Sequence, residues 1–170
     1  DASTDSTALV AAEFADAVVR LPGRPRGPAY ARNRGVELAR GEVVVFVDAN
    51  VCVHPDTLRR FTAVFAHEPE TSAVFGAYDT EPEAPQLVSQ YRNLLHHFVH
   101  CQSAGEAETF WGGCGAIRRH VFLAAGRYDE WSYPRPQIED VELGHRVRAL
   151  GYRIVLRPGG ETTATPLSPV

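Results

Sequence analysis

Two oxygen-bearing side chains end the most apolar stretch of the chain. Residues 43–47 read VVVFV, and Asp48 and Asn50 follow, with Ala49 between them. Two oxygen ligands at this spacing can reach one hard divalent cation, Mg²⁺ or Mn²⁺, which commonly shares its coordination shell with phosphates. In the alternative interpretation, Asp48 caps the following turn and Asn50 adopts a left-handed conformation. The spacing by itself slightly favours the turn.

A pair of acids stands at the start of a predicted helix. Glu139 and Asp140 precede apolar residues that recur at helical spacing over residues 139–150. A carboxylate in this position could accept the proton of an attacking hydroxyl group, as a general base does. The structural alternative is that both acids simply favour the positive end of the helix dipole.

Histidines and a tryptophan form a further set of candidates. His96 and His100 are four residues apart and would share a helix face, as metal-binding pairs do. No H-E-x-x-H glutamate accompanies them and no second ligand cluster has zinc spacing, which favours partly buried or acceptor-facing histidines. Trp111 could stack on a sugar ring or belong to the core.

Composition excludes several classes of protein. The chain has 170 residues, 44% hydrophobic and 22% charged, with a formal net charge of −4 and scattered basic residues, so no nucleic-acid partner is expected. No apolar run approaches the length of about 18 residues needed for a transmembrane segment. Three cysteines lie far apart without a C-x-x-C pair, which favours a reducing, cytoplasmic location.

Helices and strands are predicted to alternate. We expect helices over residues 3–17, 29–40, 54–65, 87–101 and 139–150, and strands over residues 18–21, 43–47 and 72–78 and at the end of the segment 139–156. This alternation predicts an α/β domain with a mainly parallel sheet between helices. The glycine-dense segment 109–119 is expected to pack closely against a ligand or another strand. The loop 79–86 should be exposed, and the tail 157–170 should be disordered.

Six motifs occur in an order that resembles the family 2 glycosyltransferases of the GT-A fold. They are DASTDST, GPAYARNRG, GEVVVFVDANV, FWGGCGAIRR, YDE and IEDVELGHRVRALGYRI, and together they span residues 1–156. The resemblance implies a Rossmann-like fold for nucleotide-diphospho-sugar transferases over this range. It also implies inverting transfer of a sugar from a nucleotide-diphospho-sugar to an acceptor hydroxyl, with Mn²⁺ or Mg²⁺. Beside this resemblance the turn interpretation of Asp48 becomes the less favoured one.

The resemblance also assigns roles to individual residues. Asp48 would lie near the donor ribose and diphosphate and bind the metal with Asn50, which stands where the family usually has a carboxylate. Asp140 would be the catalytic base, and Glu139 would orient the acceptor or the residues near it. The remaining donor-binding positions implied by the motifs are Asp1, Ser3, Arg32, Trp111, Gly112 and Gly113.

The resemblance leaves the activity and the acceptor open. The chain starts inside the family's second motif and contains no methionine, so we interpret it as a fragment lacking the first β-strand. Asn50 and the missing strand keep open an alternative, a catalytically silent GT-A domain that binds a nucleotide or a partner without turnover. A Rossmann dehydrogenase is disfavoured because no G-x-G-x-x-G follows a strand. The implied acceptor is a saccharide or a lipid-linked molecule, and peripheral association with the inner face of the membrane is compatible with the sequence.

Overall fold

The computed structural model describes residues 1–80 and 86–158 and the backbone of residues 162–164. Within this part of the chain the helices are α1 (Thr7–Phe14), α2 (Pro28–Leu38), α3 (Thr57–His67), α4 (Leu87–Gln102), α5 (Arg119–Ala124) and α6 (Glu139–Ala149). The strands are β1 (Val43–Val47), β2 (Val51–Val53), β3 (Thr71–Phe75), β4 (Gly105–Ala107), β5 (Cys114–Arg118), β6 (Arg153–Leu156) and β7 (Thr162–Ala164).

The main sheet is mixed in direction. Its strand order is β1-β5-β3-β6-β4. β5 is antiparallel to both β1 and β3, β3 is parallel to β6, and β4 is antiparallel to β6. The α/β class is therefore confirmed, whereas the expected mainly parallel arrangement is corrected. The glycine-dense segment 109–119 is responsible, because it supplies β5, which runs between β1 and β3 against their direction.

Close packing of this glycine-dense segment is confirmed. A Cβ atom added to Gly115 would lie 2.5 Å from the Trp111 carbonyl oxygen and 2.6 Å from the Phe110 ring. Only a residue without a side chain lets β5 lie this close to the segment that precedes it. The packing of β5 in the sheet therefore requires glycine at position 115.

The hydrophobic core covers both faces of the sheet, but β1 is less enclosed than its unbroken apolar run predicts, because only Val44 and Phe46 in it are buried. On one face, Phe46 packs against Phe122 and Tyr128, with ring centroids 5.5 Å and 5.3 Å apart, and α2, α5 and α6 contribute buried residues. On the other face, Phe61 of α3 packs with Ala116 and with residues of β3 and β6. Phe46 is therefore held in the core two residues before Asp48, whereas Val47 at the strand end is 46% exposed.

Three predicted segments differ from the structure or lie outside its description. Residues 18–21 form no strand: Ala2 N–H donates to the Leu21 carbonyl oxygen at 2.9 Å, but the described residues form no ladder there. β7, inside the predicted tail 157–170, pairs with β2, so backbone hydrogen bonds order this short part. Residues 81–85 of the acidic loop, and 159–161 and 165–170 of the tail, lie outside the described residues.

Candidate functional site

The backbone fixes Asp48 at the carboxyl end of β1. Asp48 N–H donates to the Gly113 carbonyl oxygen at 2.9 Å, which ties the end of β1 to the glycine-rich segment. Val51 N–H closes the following turn by donating to the Asp48 carbonyl oxygen at 3.0 Å. The described non-glycine residues with positive φ are Ala2 and Arg127, so Asn50 is not left-handed. The turn is therefore made by the backbone, which leaves the Asp48 and Asn50 side chains available for other contacts.

Arg32 joins Asp48 to the second acidic segment. Its guanidinium donates from Nη2 to Asp48 Oδ1 at 2.6 Å and from Nη1 to Glu139 Oε1 at 2.9 Å. The side chains of Arg32 and Glu139 are only 14% and 5% exposed, while that of Asp48 is 39% exposed. Burial opposes the charge of Arg32, but the nearby Tyr128 and the two carboxylates outweigh it and raise the pKa of Arg32.

Asp140 is held by the glycine-rich segment as well as by its own helix. Its Oδ2 accepts a hydrogen bond from Gly112 N–H at 2.9 Å, and its Oδ1 accepts one from Val141 N–H at 2.8 Å. Burial raises the pKa of Asp140 above the ordinary value of 3.8, although these two N–H groups act in the opposite direction. A carboxyl group with a raised pKa is a better proton acceptor than a solvated one. The hydrogen bond from Gly112 is not expected for an acid that only interacts with the positive end of the helix dipole.

Glu139 differs from its neighbour because it is enclosed. Its Oε2 accepts a hydrogen bond from Gln137 N–H at 2.9 Å, while its Oε1 is engaged by Arg32. Both carboxylate oxygens are therefore occupied by the protein. This arrangement suits a residue that positions Arg32 and α6, and the predicted role of Glu139 in orienting the acceptor stays a prediction.

Gly112 lies at the centre of the site. A Cβ atom there would be 2.9 Å from the Tyr128 hydroxyl and 3.4 Å from both Arg32 Cζ and Asp140 Cβ. Gly113 is equally restricted, because its Cβ atom would meet the Trp111 ring at 2.3 Å. The missing side chains let the glycine-rich segment bring the neighbourhoods of Asp48 and Asp140 together. The roles assigned to these residues in donor binding stay predictions.

Tyr128 is a site residue that sequence reasoning missed. It is 2% exposed, its ring centroid lies 5.2 Å from Arg32 Cζ, and burial raises the pKa of its hydroxyl. Within the described part of the chain, that hydroxyl has no hydrogen-bond partner. The YDE motif contains this residue, but nothing in the sequence indicated that it would lie beneath Gly112.

A cavity of about 610 Å³ extends from Asp140 along α4. Its walls include Tyr78 and Trp111, whose ring centroids are 4.9 Å apart, and His100, whose ring centroid is 5.7 Å from that of Trp111. Burial, together with the neighbouring histidines 96 and 97, lowers the pKa of His100 to about 4, so this imidazole is neutral at neutral pH. The sequence predicts partly buried or acceptor-facing histidines: His100 is partly buried and His96 is exposed, and both line this cavity. That they face an acceptor stays a prediction.

Asp1 and Ser3 lie at a separate cavity. The Asp1 carboxylate accepts hydrogen bonds from Arg26 N–H at 2.7 Å and Gly27 N–H at 2.9 Å. Both residues line a second space of about 610 Å³ between α1 and residues 18–23. Neither Asp48 nor Asp140 belongs to the described lining of that space. The structure thus places Asp1 and Ser3 at this second space, and their role in binding the donor stays a prediction.

The protein donors available to a divalent cation are few. Among residues 1–80 and 86–158, no group of three or more histidine, cysteine, aspartate or glutamate side chains could hold a metal ion. Asp48 and Asn50 nevertheless form a suitable pair of hard oxygen donors. Mg²⁺ is usually bound through one or two carboxylates, with substrate phosphates and water completing its shell. The donor set thus fits a cation that arrives with a diphosphate.

Solved structures with the same architecture define the class of the fold. The mannosyltransferase PcManGT from Pyrobaculum calidifontis, solved with GDP-Man and Mn²⁺, matches with a TM-score of 0.70 and 24% identity over 97% of this chain and 46% of that one. S. aureus TarS 1–349, solved with UDP-GlcNAc, matches with a TM-score of 0.69 and 17% identity over 100% of this chain and 49% of that one. The expected GT-A fold is confirmed.

The family follows from the sequence comparison. The model of glycosyl transferase family 2 matches residues 1–124, and the chain belongs to this family. A curated relative, the glucosyl-dolichyl phosphate glucuronosyltransferase of Haloferax volcanii, is 27% identical over 122 residues, which are 67% of this chain and 38% of the relative. The chain thus spans less than half the length of these relatives.

The described helices were also compared with the requirements of a membrane span. None of the helices in the described ranges combines the length and apolar character needed to cross a membrane.

Proposed function

We propose that this chain is the core of an inverting, metal-dependent glycosyltransferase that transfers a sugar from a nucleotide-diphospho-sugar to an acceptor hydroxyl. The observation that carries the proposal is the joining of Asp48 and Asp140 to one glycine-rich segment, through Gly113 and Gly112 respectively. Asp48, which is suited to holding a cation, and Asp140, which is suited to accepting a proton, are thus hydrogen-bonded to two consecutive glycines. Membership of family 2 supports the reaction class.

On the donor side, Asp48 and Asn50 would hold Mn²⁺ or Mg²⁺ together with the diphosphate. When bound, the cation supplies Lewis-acid neutralisation of the departing nucleoside diphosphate. The structures of PcManGT with GDP-Man and Mn²⁺ and of TarS with UDP-GlcNAc support a nucleotide-sugar donor. The glycine-rich segment at Gly112 and Gly113 would leave room for the sugar.

On the acceptor side, the cavity beside Asp140 would receive the hydroxyl-bearing molecule. The acceptor oxygen attacks the anomeric carbon, its proton passes to the Asp140 carboxylate, and the bond from that carbon to the diphosphate breaks with inversion. Tyr78 and Trp111 offer aromatic faces on which a sugar ring could stack. A saccharide fits these walls, and the dolichyl phosphate in the name of the Haloferax relative supports a lipid-linked acceptor.

A catalytically silent domain is the second candidate. The observation that favours it is the pairing of Asp48 with Arg32, combined with a neutral amide at Asn50. A site with this little free negative charge attracts a divalent cation weakly. Such a domain would bind a nucleotide or a protein partner without turnover.

One experiment separates the two candidates. Calorimetry with UDP and with GDP, each with and without Mn²⁺, identifies the nucleotide, and hydrolysis of the matching nucleotide-sugar is then measured by release of the nucleoside diphosphate. We expect Mn²⁺-dependent binding followed by slow hydrolysis that an acceptor accelerates. Binding without any release of nucleoside diphosphate would favour the silent domain. The absence of binding to either nucleotide would count against the transferase, and of the second candidate it would leave only a domain that binds a protein partner.

We further infer a cytoplasmic location, with association at the inner face of the membrane where the acceptor is lipid-linked. The scattered cysteines support a reducing compartment. A lipid-linked acceptor would be presented at the membrane surface, which requires no membrane span in the transferase core.

Restoring a carboxylate at position 50 is expected to strengthen metal binding. Asn50→Asp adds a full negative charge beside Asp48 without changing the size of the side chain, so Mn²⁺-dependent nucleotide binding should tighten by about tenfold. Calorimetry with the nucleotide and saturating or absent Mn²⁺ measures the change. Nucleotide binding without the metal should weaken or stay constant. No tightening in the presence of the metal would show that the side chain at position 50 is not a metal ligand.

A further inference from the structure

The cation closest to Asp48 is supplied by the protein itself. Arg32 Nη2 lies 2.6 Å from Asp48 Oδ1, at the carboxylate that would otherwise face a divalent ion. The same guanidinium is held from its other side by Glu139 at 2.9 Å, and the Glu139 side chain is 5% exposed. The arginine is therefore positioned by a buried partner and does not depend on Asp48 alone to stay in place.

We propose that Arg32 is an internal counter-cation that competes with the divalent metal for Asp48, so that metal binding is coupled to binding of the nucleoside diphosphate. This inference rests on the proposed function, because it assigns Asp48 to the metal. Without the nucleotide, Asp48 can neutralise Arg32 or a divalent ion, but one carboxylate satisfies both poorly. A diphosphate brings additional negative charge, with which both cations can be accommodated.

Asn50 makes this competition effective. A carboxylate at position 50 would give a divalent ion its own anionic partner, whereas the neutral amide leaves Asp48 as the charged member of the pair. Hydrogen bonds between charged groups are about twice as strong as neutral ones. Arg32 Nη2, at 2.6 Å from Asp48 Oδ1, therefore competes effectively with a divalent ion for this carboxylate. The neutral Asn50 and the ion pair of Arg32 with Asp48 therefore act together to weaken binding of a divalent ion in the absence of nucleotide.

The surroundings keep Arg32 available in either state. Tyr128 presents its ring 5.2 Å from Arg32 Cζ, and its hydroxyl has no hydrogen-bond partner among the described residues. Glu139 holds the other side of the guanidinium fork, so release of Asp48 does not leave the arginine without a counter-ion. The Arg32 guanidinium can thus release Asp48 while keeping its hydrogen bond to Glu139.

The test measures Mn²⁺ binding directly, by electron paramagnetic resonance of free Mn²⁺, with no turnover required. Arg32→Gln keeps a donor for Glu139 and removes the charge. We expect Mn²⁺ to bind this variant about fivefold more tightly than the wild-type chain in the absence of nucleotide. The factor by which UDP or GDP tightens Mn²⁺ binding should fall by a similar amount, because the nucleotide no longer has to relieve a competitor.

Arg34→Gln is the matched control. Arg34 lies on the same helix and pairs with Glu130 at 3.0 Å and Glu37 at 3.2 Å, away from Asp48, so its replacement should leave Mn²⁺ affinity unchanged. Arg32→Lys is a second variant, because a single ammonium group cannot span both carboxylates, and an intermediate Mn²⁺ affinity is expected. Thermal melting followed by circular dichroism verifies that each variant is folded.

The outcomes distinguish this inference from the proposed function. Wild-type binding of Mn²⁺ that is equal to or tighter than that of the folded Arg32 variants would overturn the inference and leave the transferase assignment standing. Binding by the Arg32→Gln variant alone would support the inference strongly. No Mn²⁺ binding by any variant, with or without nucleotide, would refute the metal assignment of Asp48 and the inference together.

Discussion

Asp140→Asn is expected to lower the rate of sugar transfer by about 10³-fold, within the range that a positioned general base contributes. The amide oxygen can still accept the hydrogen bond that Gly112 N–H donates to Asp140 at 2.9 Å, while the bond from Val141 N–H at 2.8 Å is lost because the amide nitrogen cannot accept it. The substitution removes the group that takes the acceptor's proton and leaves the Asp48 neighbourhood intact. Single-turnover transfer measures the effect, and calorimetry with the nucleotide and Mn²⁺ should show nearly unchanged donor binding.

The raised pKa of Asp140 gives this prediction a second readout. A carboxyl group that burial keeps above its ordinary pKa favours its neutral form in the folded state, so its ionisation costs stability as the pH rises through that pKa. The neutral amide removes this cost, which offsets the lost hydrogen bond from Val141 N–H, so the free energy of unfolding of the variant should depend less on pH than that of the wild-type chain. The wild-type rate should also fall on acidification, at a pH above 3.8, as Asp140 becomes protonated.

Asp129→Asn is a matched control for the same chemical change. Asp129 lies in an exposed turn, where its Oδ1 accepts hydrogen bonds from Trp131 N–H at 3.0 Å and Ser132 N–H at 2.9 Å, and asparagine can keep both. Transfer by this control should be close to that of the wild-type chain. If Asp140→Asn retains comparable transfer, Asp140 is not the base.

The sequence could predict where chemistry would be found. An apolar strand ending in Asp48 and a helix starting at Glu139 and Asp140 are local patterns, and ligands of α/β sheets bind beyond the carboxyl ends of strands. The order of the motifs predicts the family and the fold, which the match to family 2 and the likeness to solved structures confirm. The convergence of the two segments follows from this fold, and the hydrogen bonds at Gly112 and Gly113 are its observed basis.

The detailed geometry could not be predicted, because it depends on residues that are distant in the chain. Arg32 was expected near the nucleotide, but its partners Asp48 and Glu139 are 16 and 107 positions away and no local pattern pairs them. Tyr128 enters the site because Gly112 leaves space for its hydroxyl. The reversed direction of β5 was missed for a similar reason, since apolar periodicity reports burial but not the orientation of a strand.

Gly144→Ala is expected to destabilise the fold strongly. An added Cβ atom would lie 2.3 Å from the Phe110 backbone nitrogen and 2.6 Å from the Thr109 carbonyl carbon. These are backbone atoms, so no side-chain rotation can relieve the overlap. We expect a loss of about 3 kcal/mol in the free energy of unfolding, at the upper end of the usual cost of overpacking. Urea denaturation followed by circular dichroism measures the change.

Gly35→Ala supplies the matched control on α2, and its effect should have the opposite sign. An added Cβ atom at Gly35 would have no heavy atom within 4 Å, so the gain in helix propensity should stabilise the fold by roughly 0.5 to 1 kcal/mol. The contrast has a functional consequence, because displacement of α6 from Phe110 would move Asp140 away from Gly112. The Gly144 variant should therefore lose sugar transfer even at temperatures where it remains folded. Wild-type stability in this variant would mean that α6 does not pack against the segment before β5 as closely as described, and that Asp140 is positioned by its own helix alone.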